Sequence, residues 1–126
     1  MNLTLRAFKN EDDYWRMREF LRQVMVLNGL RELSWHVARL DYWWWFANPH
    51  LEKFDPQESI FLWEAKDGRL AAALNPEGHG QAFLQIHPEF AAPKLLEEMI
   101  AVAEERLAVP TEEGGCKVWN MPVQGK

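Results

Sequence analysis

The chain is poor in the residues that support several common chemistries. It has one cysteine, Cys116, which excludes an internal disulfide and a cysteine-based metal cluster. Its four histidines, His36, His50, His79 and His87, never pair with one another or with Cys116 at a zinc-like spacing, and no metal site is expected. Tyrosine is nearly absent, with only Tyr14 and Tyr42. No apolar run approaches the roughly 20 residues of a membrane span, and no charged-then-apolar leader opens the chain. Positive charge is in deficit: the net charge is −5, whereas duplex binding needs a basic face, so neither nucleic acid nor membrane is expected as a partner. These readings favour a cytoplasmic protein. Glycine is missing from one long stretch, between Gly80 and Gly114.

What is present fits a folded chain, with 48% hydrophobic and 26% charged residues. At 126 residues it reads as one domain, 1–126. Leu3 to Phe8 alternates as a strand. Asn10 then caps a helix with Glu11, Asp12 and Asp13 in its first turn and a buried stripe of Tyr14, Met17, Leu21 and Val24. Gly29 is a stop. Ser34 caps a second helix from Trp35 to Phe46, ending before Asn48-Pro49. His50 to Glu58 reads as loop. Ser59 to Lys66 and Arg69 to Leu74 form a hairpin about a two-residue Asp67-Gly68 turn. Gln81 to His87 is a strand closed by Pro88, and Pro93 to Leu107 an amphipathic helix. Residues 110–126 read as a linker, a swapped strand or the start of a further segment, with a short strand from Cys116 to Trp119. The order is β-α-α-β-β-β-α-β, an α/β fold.

Two stretches carry functional information. Phe83 to Leu107 runs strand, connection, helix, the layout at which phosphate-bearing cofactors dock. Its connection has no glycine to let a phosphate approach the backbone. Asp41-Tyr42-Trp43-Trp44-Trp45-Phe46 is the other. Successive helical residues point about 100° apart, so Trp43, Trp44 and Trp45 cannot all face one core. They line either a substrate wall or an interface, and the interface is favoured. His87 reads as a surface histidine, with a base role as the alternative.

Leu84-Gln85-Ile86-His87-Pro88-Glu89-Phe90 followed by Leu95-Leu96-Glu97-Glu98-Met99 resembles the GNAT (acyl-CoA N-acyltransferase) superfamily. The leading strand–helix pair and the meander from Ile60 to Ile86 resemble it too. The resemblance implies a mixed, mainly antiparallel sheet with helices on both faces, and acyl transfer from acetyl-CoA to a small-molecule amine. In that family the strand before the cofactor loop splays from its neighbour and offers backbone groups to the acyl-pantetheine arm; Leu84, Gln85 and Ile86 hold that place. A glycine loop binds the pyrophosphate; here it is Ala91-Ala92-Pro93-Lys94, with Lys94 the one positive charge. The family needs a base, for which Glu64 and Glu89 are the carboxylates nearest the site; period-2 alternation favours Glu64 facing solvent, the alternative being burial in FLWEA, which is expected to raise its pKa. It also uses a late tyrosine as acid, and none follows Tyr42. Acetyl-CoA binding is therefore expected to be weak, and activity in this chain alone weak or absent. The alternative is a non-catalytic module for assembly or ligand capture. The family's sheet has further strands after the point matched by Trp119, so a homodimer or a further domain is the expected partner.

Overall fold

The computed structural model describes residues 3–27, 35–111 and 116–123. Strand β1, Leu3–Ala7, leads to helix α1, Glu11–Leu27. Asn10 Oδ1 accepts the Asp12 N–H at 3.1 Å, and three acidic residues occupy the positive end of the helix dipole. The expected stripe is buried, joined by Phe20 and Asp13. The expected stop at Gly29 and cap at Ser34 lie outside the described residues.

Helix α2, Val37–Tyr42, is capped by His36, whose Nδ1 accepts the Ala38 N–H at 3.0 Å. It does not end before Asn48-Pro49 as its sequence suggests. It continues as a π-helix, Trp43–Glu52, in which an N–H reaches back five residues. Pro49 lies inside it, and the helix end is tied down by Asn48. Its backbone C=O accepts Lys53 N–H at 2.6 Å, its Oδ1 accepts Phe54 N–H at 2.6 Å, and its Nδ2 donates to Phe54 O at 3.0 Å. Lys53, with φ of 58°, turns the chain off the helix. Asp55 then caps a short helix α3, Pro56–Ser59, so most of the expected loop is helical.

Strands β2 (Phe61–Ala65), β3 (Leu70–Asn75) and β4 (Gln81–Ile86) form an antiparallel meander with β1. The first hairpin is one residue longer than expected. Ala65 N–H donates to Arg69 O at 2.8 Å, and Gly68 closes the connection at φ of 89°. The weak strand propensity of Ala71, Ala72 and Ala73 is overridden by position: all are fully buried in the central strand, where small side chains fit between two packed layers. Helix α4, Pro93–Arg106, crosses over the sheet, and two short strands, β5 (Val109–Pro110) and β6 (Cys116–Lys117), pair antiparallel. Strand β7, Trp119–Val123, then joins β4 in parallel, giving the order β1-β2-β3-β4-β7. The expected single strand Cys116 to Trp119 is thus two elements, and the second extends the main sheet.

Period-2 alternation sorts the strands between two cores. Leu62, Ala73 and Phe83 face α1, α2 and the π-helix, among Tyr14, Met17 and Trp43. Phe61, Trp63, Leu74, Leu84 and Ile86 face α4, against Leu95, Met99 and Ala103. The result is the expected mixed, mainly antiparallel sheet with helices on both faces.

Candidate functional site

The junction of β4 and α4 is built from strand residues that are already committed. Leu84 and Ile86 are buried under α4. Gln85 points to the other face and is fully buried. Its Oε1 accepts the Trp35 N–H at 2.9 Å, and its Nε2 donates to Asn75 Oδ1 at 2.8 Å, while Asn75 Nδ2 donates to Pro76 O at 3.1 Å. The backbone is committed too. β4 lies against β3 on one edge, and against β7 on the other from Gln81↔Trp119 through Leu84↔Pro122 to Gln85↔Val123. The expected splay is therefore absent at Leu84 and Gln85, because β7 stays in register along them. Among the described residues the pairing ends at Gln85↔Val123, one short of Ile86.

At the start of α4, Ala92 offers no side-chain cap and Pro93 occupies the first turn. Leu96 N–H already donates to Ala92 O at 3.1 Å, and Pro93 has no N–H. That leaves the N–H groups of Lys94 and Leu95 as donors, with the exposed Lys94 side chain beside them. Two amides and a mobile point charge, behind the methyl groups of Ala91 and Ala92, do not fit a pyrophosphate as a glycine nest would.

The two candidate carboxylates are not brought together. Glu64 faces α1, half-buried, where Arg6 Nε donates to its Oε1 at 2.9 Å and Arg16 Nη1 lies 2.7 Å from its Oε2. Arg6 also forks onto both oxygens of Asp13 at 2.7 Å. The hydrogen bond from Arg6 holds the Glu64 carboxyl below its ordinary range and outweighs burial, the reverse of the expected rise. A carboxylate gripped by two guanidiniums is a poor proton acceptor. Glu89 is exposed on a 3-10 turn, Pro88–Phe90, and pairs with Arg69 at 2.8 Å. His87 is no surface residue: it is 6% exposed, its Nδ1 accepts the Glu89 N–H at 3.1 Å, and burial lowers its pKa.

The three tryptophans diverge as helical geometry requires. Trp43 is buried, its Nε1 donating to Glu77 O at 2.9 Å. Trp44 is half-buried and stacks on Tyr14 with centroids 4.8 Å apart. Trp45 is 54% exposed, and its Nε1 donates to the Tyr14 hydroxyl at 3.0 Å. Trp15, Tyr42 and Phe46 are exposed as well. Beneath them lies a group that the sequence did not announce. The Tyr14 hydroxyl donates to Asp41, which Arg18 holds through Nε and Nη2 at 3.0–3.1 Å. Burial, with the Asp41 charge beside it, pushes the Tyr14 phenol up to about 12. Its hydroxyl proton is committed to Asp41, and it lies in the core under α1 on the face opposite α4, away from the place of the missing acid. The only sequence signal was a charged Asp41 opening an aromatic run.

No family model matches the sequence, and no curated protein matches it. The structure is similar to that of a GCN5-related N-acetyltransferase from Sphaerobacter thermophilus, with a TM-score of 0.58 at 20% sequence identity. The chain has a GNAT fold. At that identity the likeness is one of fold alone. The match covers 83% of this chain and 32% of the other, so it spans about a third of that chain's length. The misfit at Ala91 to Lys94 falls on the connection between β4 and α4 of that fold. Among the described residues no group of three His, Cys, Asp or Glu could hold a metal, and no helix is long and apolar enough to cross a membrane.

Proposed function

We propose that this chain is a GNAT-fold N-acetyltransferase-like module of the cytoplasm, related to acyl transfer from acetyl-CoA to a small-molecule amine and weak or inactive in that reaction by itself. The observation that carries the reading is the topology: four antiparallel strands, a crossover helix, and a fifth strand parallel to the fourth. What limits the chemistry is in the same place. The ladder reaches Gln85, the start of α4 has few donors, Glu64 is held by arginines, and the Tyr14 hydroxyl is committed to Asp41 on the opposite face. Titration calorimetry with acetyl-CoA tests the reading. Weak, millimolar-range binding supports it, and micromolar binding overturns the weakness.

The second reading is an assembly module, and the exposed Trp15, Tyr42, Trp45 and Phe46 favour it. Its partner is a second copy or a further domain of the same protein. If acetyl-CoA at millimolar concentration gives neither heat nor thermal shift, this reading takes the place of the first. A strictly monomeric species in light scattering at high concentration rejects the homodimer.

A further inference from the structure

The residue between β4 and the Pro88–Phe90 turn is a histidine, where helical starts usually take Ser, Thr, Asp or Asn. Its Nδ1 accepts the Glu89 N–H at 3.1 Å. A ring nitrogen that accepts an N–H carries no proton, so the ring is neutral with its proton on Nε2. A second proton has only Nδ1 to bind, and there it would set N–H against N–H. The ring sits between Phe90, 5.6 Å away, and Phe20 of α1, 6.4 Å away. The charged groups that bear on it are Glu89 on its own turn and Arg69 just before β3; from α1 its contact, Phe20, is uncharged. Arg69 pairs with Glu89 at 2.8 Å, and its guanidinium lies 5.1 Å from the Phe90 ring centre. The main-chain bonds here, His87 N–H to Ala71 O and Phe90 N–H to His87 O, both at 2.9 Å, do not depend on protonation.

We propose that His87 is a proton-operated latch on the connection between β4 and α4. With the ring neutral, the cap holds the turn and seats Glu89 against Arg69. With the ring protonated, the Glu89 N–H loses its acceptor and the turn loosens together with the Arg69–Glu89 pair. The latch does not depend on acyl-CoA binding. Burial disfavours the charged ring, so release falls on the acid side of the ordinary histidine range.

Nuclear magnetic resonance of the whole chain between about pH 5 and 8 tests this. The His87 ring and the Glu89 amide are expected to shift with one midpoint. Glu89 amide exchange, corrected for its intrinsic pH dependence, is expected to speed up about tenfold on the acid side, the size of one lost hydrogen bond. In His87→Asn, whose amide oxygen caps without titrating, that acceleration should vanish. Separate midpoints in the wild type overturn the latch, whether or not the variant folds. So does an acceleration that persists in His87→Asn, which would place its cause at a group other than His87.

Discussion

The two faces of the sheet are built on different principles. Under α4 the contacts are apolar, from Phe61 and Trp63 through Leu84 and Ile86 to Met99 and Ala103; among the described residues the one side-chain hydrogen bond tying α4 to the sheet is Trp63 Nε1 to Glu98 at 2.5 Å. Under α1, α2 and the π-helix, the apolar core is crossed by directed polar contacts: Arg6 to Asp13 and Glu64, Tyr14 to Asp41, Gln85 to Asn75 and Trp35, Trp43 to Glu77. Apolar burial supplies stability without direction, whereas hydrogen-bonded networks fix one arrangement of their members. The α4 face therefore holds the sheet together, and the opposite face specifies how its helices sit.

The sharpest way to break this contrast is on the α4 face. Trp63→Ala should cost about 3–5 kcal/mol, the range for emptying a buried aromatic site, read as a lower urea midpoint. Glu98→Gln keeps an acceptor for the indole N–H and should cost well under half of that. Equal losses from the two would mean that the Glu98 bond, and not packing, secures α4.

Next comes the ion network on the other face. Arg6→Met leaves Asp13, which is buried, without its main partner and Glu64 with one arginine; a loss of about 2–4 kcal/mol is expected at neutral pH. The pH dependence gives a second reading. Arg6 is the largest cause holding both carboxyls below their ordinary values. Their stabilisation is therefore complete above the unfolded carboxylate range of about 4 and is lost as pH falls through the lower folded values. Acid denaturation of the wild type should show this loss, and Arg6→Met should flatten it. A variant with an unchanged acid limb would assign the pH dependence to other groups.

A smaller effect is expected at Gln85. Gln85→Leu keeps the volume but leaves the Trp35 N–H and Asn75 Oδ1 without their partner, at about 1–3 kcal/mol. A neutral or stabilising result would show that this network adds no stability and serves arrangement alone.

The architecture was legible because periodicity reports burial. The stripe of α1, the α4 stripe and the Ile60 to Ile86 meander each repeat at the spacing that one buried face imposes. The failures have a common cause, long-range partners that local patterns do not encode. Pro49 signals a helix end, but a π-helix runs past it, its end tied down by Asn48 bonding across to Phe54. Glu64 in an apolar strand suggests a raised pKa, but Arg6 and Arg16 arrive from β1 and α1. Splaying at Leu84 to Ile86 follows from resemblance, and only the register of β7 could replace it. The glycine-free connection needed no partner to be read, since the lack of a nest is local.

The smallest expected effect on stability tests the outermost layer of the polar face. The Tyr42 and Phe46 rings meet at a tilt with centroids 5.3 Å apart, and both are about half exposed. Phe46→Ser should therefore shift stability by no more than about 0.5 kcal/mol, as for a surface site without caps or buried partners. If the aromatic surface takes a second copy, the same substitution should lower the average mass in concentrated solution by light scattering, because removing an aromatic ring from an interface costs far more than removing it from water. Stability unchanged with association lost separates an assembly surface from a folding requirement. Stability lost with association unchanged would place Phe46 in the core of the helical face and remove the motive for a partner there.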